Sequence, residues 1–497
     1  MELELKKEQF ACCRALPPLS DTHEETAETI VPDYLPDIGR IVDVCGCLLL
    51  RSREIVDGRA SVSGLLRMTL LYAAEDGQGL KSFAYTLPLE RTMDGRISDG
   101  AAESCLEGRL CSCEVRLLNP RKILTRASVE LTLSPYASAV MSVCSGVSGQ
   151  EDYRIETLCE KRELSMIRAI REKDFTFSDE VLLSSTKDPI RELLCTKCTL
   201  RVTDCKIVGG KLALKGVACL VLLYLDTNGK AQRLTSELPF SQILDGLSET
   251  SGETSARASL RLTGLEVHVG SESEPDNERL VSLRLYISAF AVLREVRSVC
   301  CIADLYSTLY DLTVRSENVE LSDDPALFTR EQSVREKIET GSEVQSILSA
   351  ELRTSADLRV LYLDENGTPL LSERRIDVLL PTDLPVSGRV RLQGVSAGEI
   401  ASSVSDGGVE LRFPVIFTLA DAETPSYPCL TGLQAEKRTE KDENAPSIVL
   451  RALRQGERLW DLAKQYRTTV GDILAANDMA EEAAAPVGKL LLIPRRR

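Results

Sequence analysis

Cys195, Cys198 and Cys205 bring three sulfurs close together in the chain. A Cys-x-x-Cys pair with a third thiol is the start of a tetrahedral zinc set, which a second pair or spaced histidines would complete. The two histidines are His23 and His268, and neither is near the cluster. Nucleophile and phosphate chemistry have less to stand on. There is no Walker loop, no Gly-x-Ser-x-Gly elbow and no dinucleotide fingerprint. Among 76 Asp and Glu residues no pair stands out as acid and base. The expectation is a protein that is not an enzyme and uses no metal or cofactor.

The bulk properties agree with that. A chain of 497 residues is too long for one core, and three or four domains are expected. The net charge of −16 disfavours nucleic acid and anionic membranes, and the one basic run is Arg495 to Arg497. Aromatics are only 4%, so the cores must rest on Leu, Val and Ile. The opening "MELELKKEQFACCRALPP" lacks the apolar centre of a signal peptide, and no stretch approaches about 18 apolar residues. A cytoplasmic protein is expected, with no membrane span and its sixteen cysteines as reduced, packed thiols.

One unit is spelled three times. A shift of 152 residues aligns Ile38 with Ile190, Gly64 with Gly216, Tyr72 with Tyr224 and Gly77 with Gly229. A further 138 brings Tyr224 to Tyr362 and Gly229 to Gly367. Leu87-Pro88, Leu238-Pro239 and Leu380-Pro381 follow. The stretch "GKLALKGVACLVLLYLDTNGKAQRLTSELPF" alternates apolar residues between turn signals, which predicts strand, strand, hairpin, strand. Asn228-Gly229 and Asn366-Gly367 are hairpin dipeptides that tolerate positive φ. "LPDIGRIVDV", "KDPIRELLCT" and "GSEVQSILSA" carry helical spacing ahead of the strands, with Asp188 capping before Pro189 and Ser342 capping the third. Tyr72, Tyr224 and Tyr362 are expected to pack their rings on the strands, and the glycines to serve turns. The third copy is trimmed.

The predicted fold is mainly β: repeated antiparallel, sandwich-like modules with short helices, then a small βααβ domain. The modules are placed at 1–150, 151–315 and 316–433. The charged stretch "QAEKRTEKDENAPS", 434–447, is expected as a linker, and 448–497 as the last domain. In it Leu459, Leu462, Ala463 and Tyr466 share one helix face, and Thr469 with Asp472 starts a second helix.

Residues 448–494 resemble a LysM domain through Gly456, Leu459-Trp460, Ala463, Tyr466, Asn477 and the ending from Gly488 to Ile493-Pro494. The resemblance implies a shallow groove for N-acetylglucosamine glycans between the loop after the first strand and the loop before the last. Gly456, Glu457, Arg458, Trp460, Asn477, Met479, Pro486 and Gly488 are the candidate groove residues. The usual Gly-Asp-Thr opening is here Gly456-Glu457-Arg458, which favours a protein partner over a sugar. Arg458 offers a fixed fork of donors to a carboxylate, and Trp460 stands beside the apolar stripe, either as a partly exposed anchor for a partner or as an edge residue packing the small core.

"LPDIGRIVDVCG" and the repeated "LLY…DG" hairpins resemble the SPOCS domain of spore-coat-associated proteins in endospore-forming bacteria. SPOCS units followed by one LysM resemble the SipL-like arrangement. That implies a scaffold in coat assembly, in the mother-cell cytoplasm at the forespore surface, with the coat morphogenetic ATPase (stage IV sporulation protein A) as partner. The alternative is a LysM adaptor gripping peptidoglycan of the wall or cortex.

Overall fold

The structure, a computed structural model, describes residues 2–495 except 78, 98–99, 247–251, 272, 321–326, 354–356, 378–389, 399, 422–425, 438–445 and 481–487. It is built from antiparallel sheets, and three copies of one six-stranded unit account for most of them. In the first copy Ile38–Val56, Arg59–Ala74 and Leu80–Thr92 form one sheet. Leu19–Ile30, Lys122–Val147 and Ala101–Asn119 form the facing layer. The second copy repeats this with Ile190–Val208, Lys211–Asp226 and Ala231–Asp245 against Ile155–Leu182, Leu280–Ser307 and Glu253–Val269. The third sets Val344–Arg353, Asp357–Asp364 and Pro369–Arg375 against Leu327–Glu339, Gly408–Asp421 and Val390–Ala397, with a fourth short strand, Ala401–Ser405, added to the second sheet; its strands are shorter, as the sequence suggests. Each pair of layers closes on its own core. Tyr72, Tyr224 and Tyr362 lie at the bottom of the three cores, fully or almost fully buried.

The three segments expected to open as helices are strands. Their helical spacing has another cause. The register slips twice in each: at Ile38/Arg40 and Ile41/Asp43, at Ile190/Glu192 and Leu193/Cys195, and at Val344/Ser346 and Ile347/Ser349. Each bulge adds a residue and breaks the two-residue alternation. Ile38 and Ile41 then enter the module core while Val42 faces the other way; Ile190, Leu193 and Leu194 do the same, as do Val344, Ile347 and Leu348. An i, i+3, i+4 pattern is a helix signal only where no bulge produces it. Asp188 and Ser342 therefore cap nothing.

Two further readings change. Gly64 and Gly216 are not turn residues; each lies mid-strand opposite a bulge, at Leu50/Ser52 and Val202/Asp204. A Cβ on Gly64 would come 2.6 Å from the Leu49 carbonyl oxygen, and one on Gly216 would meet the Phe240 ring at 2.5 Å. In the hairpins only the glycine takes positive φ, +78° at Gly229 and +75° at Gly367, and the preceding Asn does not. Asp226 and Asp364 shape those loops: each carboxylate accepts two backbone N–H groups, from Asn228 and Lys230 and from Asn366 and Thr368. Pro88 and Pro239 fall in outer strands, where no ladder donor is lost; Leu380-Pro381 lies outside the described residues.

The three hairpin sheets meet in one shared core. Val42, Cys45, Leu71 and Leu80 of the first, Leu194, Cys195, Leu223 and Leu225 of the second, and Leu348, Leu361 and Leu363 of the third pack together. The outer strand of each sheet lies against the first strand of the next, so the modules close a ring. Lys81 reaches Glu192 at 3.7 Å, and Arg40 donates to the Pro369 carbonyl at 3.1 Å. Arg359 of the third module donates to Asp43 of the first at 2.8 Å.

A fourth sandwich lies beyond the ring. Lys122–Val147, Ile155–Leu182 and Leu280–Ser307 run 26, 28 and 28 residues and overhang their modules. Leu5–Ala15 joins the first two into one seven-stranded sheet. Its overhang packs on a sheet of Glu2–Leu3, Ser426–Lys437 and Tyr310–Glu320. The expected boundary at 315/316 thus falls inside a strand, and Gln434 to Lys437, expected as linker, pair with Tyr310 to Thr313; 438–445 lie outside the described residues.

Candidate functional site

The C-terminal domain pairs Ile448–Ala452 with Leu490–Pro494 and carries helix α1, Leu459–Tyr466, and helix α2, Val470–Ala476. Its core is Leu453, Leu459, Leu462, Ala463, Ile473, Leu491 and Ile493. Thr469 caps α2 by accepting from the Asp472 N–H at 3.0 Å. At α1 the cap position is Arg458, which has no acceptor to offer; instead the Asp461 carboxylate accepts the Arg458 N–H at 3.0 Å.

The eight candidate residues take different parts. Gly456 (φ +83°) and Gly488 (φ +85°) turn the two rims, both exposed. Glu457 is held below the rim, accepting from Arg451 and from the Arg454 N–H. Arg458 is exposed, pairs with Asp461 and reaches Glu160 of the body at 4.0 Å. Asn477 is a bracket: its amide donates to the Ile473 and Leu492 carbonyls and accepts the Leu492 N–H, tying α2 to the last strand. Met479 packs on the domain core, and Pro486 lies outside the described residues.

For Trp460 the structure overturns the exposed-anchor reading and leaves the packing one. The residue is 6% exposed. Its indole N–H donates to Asp304 at 2.8 Å, and its ring meets Tyr306 edge-on at 4.9 Å. Lys464 donates to both Asp304 oxygens at 2.6 and 2.8 Å, and the Tyr306 hydroxyl donates to the Thr468 carbonyl at 2.8 Å. Asp304 and Tyr306 end the long strand Leu280–Ser307. The tryptophan therefore docks the domain on the body and is not available to an outside partner. Sequence reasoning missed Asp304, Tyr306 and Lys464. The one signal was Trp460 standing off the apolar stripe of its helix, which marks a second buried face. A cleft of about 280 Å³ beside this junction is lined by Glu160, Arg162, Asp304, Tyr427 and Arg458.

The cysteines do not converge as ligands. Cys195 lies in the shared ring core, Cys198 in the second module's core and Cys205 in a separate cluster. A strand sends residues three apart to opposite faces, so Cys-x-x-Cys carries no pairing here. All sixteen cysteines are free thiols. No helix among the described residues is long and apolar enough to cross a membrane.

Residues 189–269 match the family model described as the SPOCS domain of SipL, and residues 453–494 match the LysM domain model. Among curated proteins and solved structures, none matches the chain. The SPOCS match covers the hairpin sheet of the second module and the strand after it, the unit that the first and third modules repeat. The chain is a SipL-like, sporulation-related protein that ends in a LysM domain, a peptidoglycan-binding module.

Proposed function

We propose that the chain is a non-enzymatic scaffold of endospore coat assembly, working at the mother-cell face of the forespore. The ring of β modules serves as a rigid body, and the LysM groove contacts a coat morphogenetic protein, the stage IV sporulation ATPase. One observation carries this reading. The LysM domain is fixed to the body through α1, while the described rims of its groove, Arg454 to Gly456 and Gly488-Lys489, stay exposed. An oriented, outward groove on a large body is what a tether between layers requires. Arg458, 53% exposed at the side chain, supplies a guanidinium for a partner carboxylate.

The same open rims favour a second reading, in which the groove takes N-acetylglucosamine glycan. Co-purification from sporulating cells separates the two. Under the scaffold reading, Arg458→Ala weakens capture of the ATPase by about 1–3 kcal/mol, leaves Trp460 fluorescence unchanged, and N-acetylglucosamine oligomers do not compete. Unchanged capture by the variant, with the full-length chain retained on peptidoglycan and released by the oligomers, assigns the groove to glycan.

A further inference from the structure

At the centre of the ring two thiols from different modules come together. Cys45 of the first module and Cys195 of the second lie in the shared core, 6% and 7% exposed, and line one cleft. Lys197 stands beside them, ion-paired with Glu351 of the third module. A cleft of about 140 Å³ is lined by Cys45, Cys195 and Lys197 together with Cys47 and Arg67, and gives a small oxidant a way in. We propose that Cys45 and Cys195 form a redox-active pair, oxidised by a peroxide to a disulfide that staples the first module to the second at the ring centre.

The chemistry balances. The Cys45 thiolate attacks one peroxide oxygen; the O–O bond breaks, hydroxide leaves and is protonated to water, and Cys45 becomes a sulfenic acid. The Cys195 sulfur then attacks the Cys45 sulfur. The S–O bond breaks, a second water leaves with the Cys195 proton, and the S–S bond forms. Two thiols lose two electrons and one peroxide gains them.

The surroundings assign the two roles. The neighbouring Cys195 thiol and, after the opposing effect of burial, the Lys197 charge hold the Cys45 thiol below its ordinary value, with Asp43 and Glu351 working against them. The Cys45 thiol and burial push Cys195 well up. Cys45 is thus the attacking sulfur and Cys195 the resolving one. Cys198, buried nearby with its thiol pushed up to about 12, is the built-in control.

Graded hydrogen peroxide on the full-length protein, followed by alkylation under denaturing conditions and peptide mass spectrometry, tests this. The expected product is a Cys45–Cys195 linked peptide, reversed by dithiothreitol, at peroxide levels that leave Cys198 fully alkylated. Cys195→Ser should instead trap Cys45 as a dimedone-reactive sulfenic acid, and Cys45→Ser should leave Cys195 a thiol. Both thiols alkylating as completely as Cys198 at every dose would overturn the proposal. So would linkage of Cys45 to Cys47 in place of Cys195, or dimedone labelling of Cys195 in the Cys45→Ser protein.

Discussion

Asp304 is a carboxylate with two tasks at one point: it accepts the Trp460 indole and the Lys464 ammonium. Removing it leaves a buried indole N–H without that acceptor, at a cost of about 1.5–3 kcal/mol for a hydrogen bond to a charged group. The Lys464 pair is half exposed and adds little. Trp460 is the one tryptophan of the chain, so it reports on its own docking. Asp304→Ala should shift its emission to the red and raise iodide quenching; emission identical to the parent protein would mean that Trp460 stays buried without this contact. A second residue-scale prediction concerns pH. Burial would raise the Glu172 carboxyl, but hydrogen bonds and charge from Arg53, with help from Ser288 and Arg261, outweigh it and hold it below 4.5. Arg53 and Glu172 form a two-pronged pair at 2.9 and 2.7 Å between the first two modules. A depressed carboxyl stabilises the fold above its unfolded value and loses that contribution as pH falls through its folded value. Melting curves of Arg53→Ala should lie below those of the parent at pH 7, and the gap should narrow as pH falls below the ordinary glutamate value. A gap independent of pH would show that the pair contributes no linkage.

At the scale of elements, the bulges and the glycines opposite them set each sandwich. Gly64→Ala drives a methyl into the Leu49 carbonyl, a backbone atom that cannot swing away, and should cost about 1–3 kcal/mol. Gly77→Ala, in an open hairpin with nothing within 4 Å, pays only for φ +75°, about 1 kcal/mol. Denaturant midpoints that rank the two the other way would contradict the bulge account. Much of this scale was legible in the chain. Asp226-Thr227-Asn228-Gly229 marks a hairpin because few residues accept that loop, and the helices of the LysM domain follow from Leu459, Leu462, Ala463 and Ile473 at helical spacing. What misled was "LPDIGRIVDV" and its two counterparts. A double bulge gives Ile38, Ile41 and Val42 the spacing of a helix, and only the pairing partner distinguishes the two. The docking of Trp460 was illegible for a related reason: Asp304 is 156 residues away, and no local pattern points to it.

The whole molecule is a ring of three modules with a fourth sandwich that carries the LysM domain. Three similar units in a row do not require closure, since head-to-tail contacts generate an open array unless the rotation returns to the start. Here it returns: module one meets two, two meets three, and three meets one around Leu71, Leu223 and Leu361. The LysM domain sits on this body through Asp304 and Tyr306, which gives its groove a fixed direction that a flexible string of beads would not give, and the scaffold reading depends on that. One of the contacts that close the ring joins Asp43 to Arg359 across 316 residues of sequence at 2.8 Å, with side chains 5% and 11% exposed. A double-mutant cycle between Asp43→Asn and Arg359→Met, read by denaturant unfolding of the full-length chain, measures that closure directly. A closed ring predicts a coupling of about 1–3 kcal/mol, and a coupling indistinguishable from zero would contradict it.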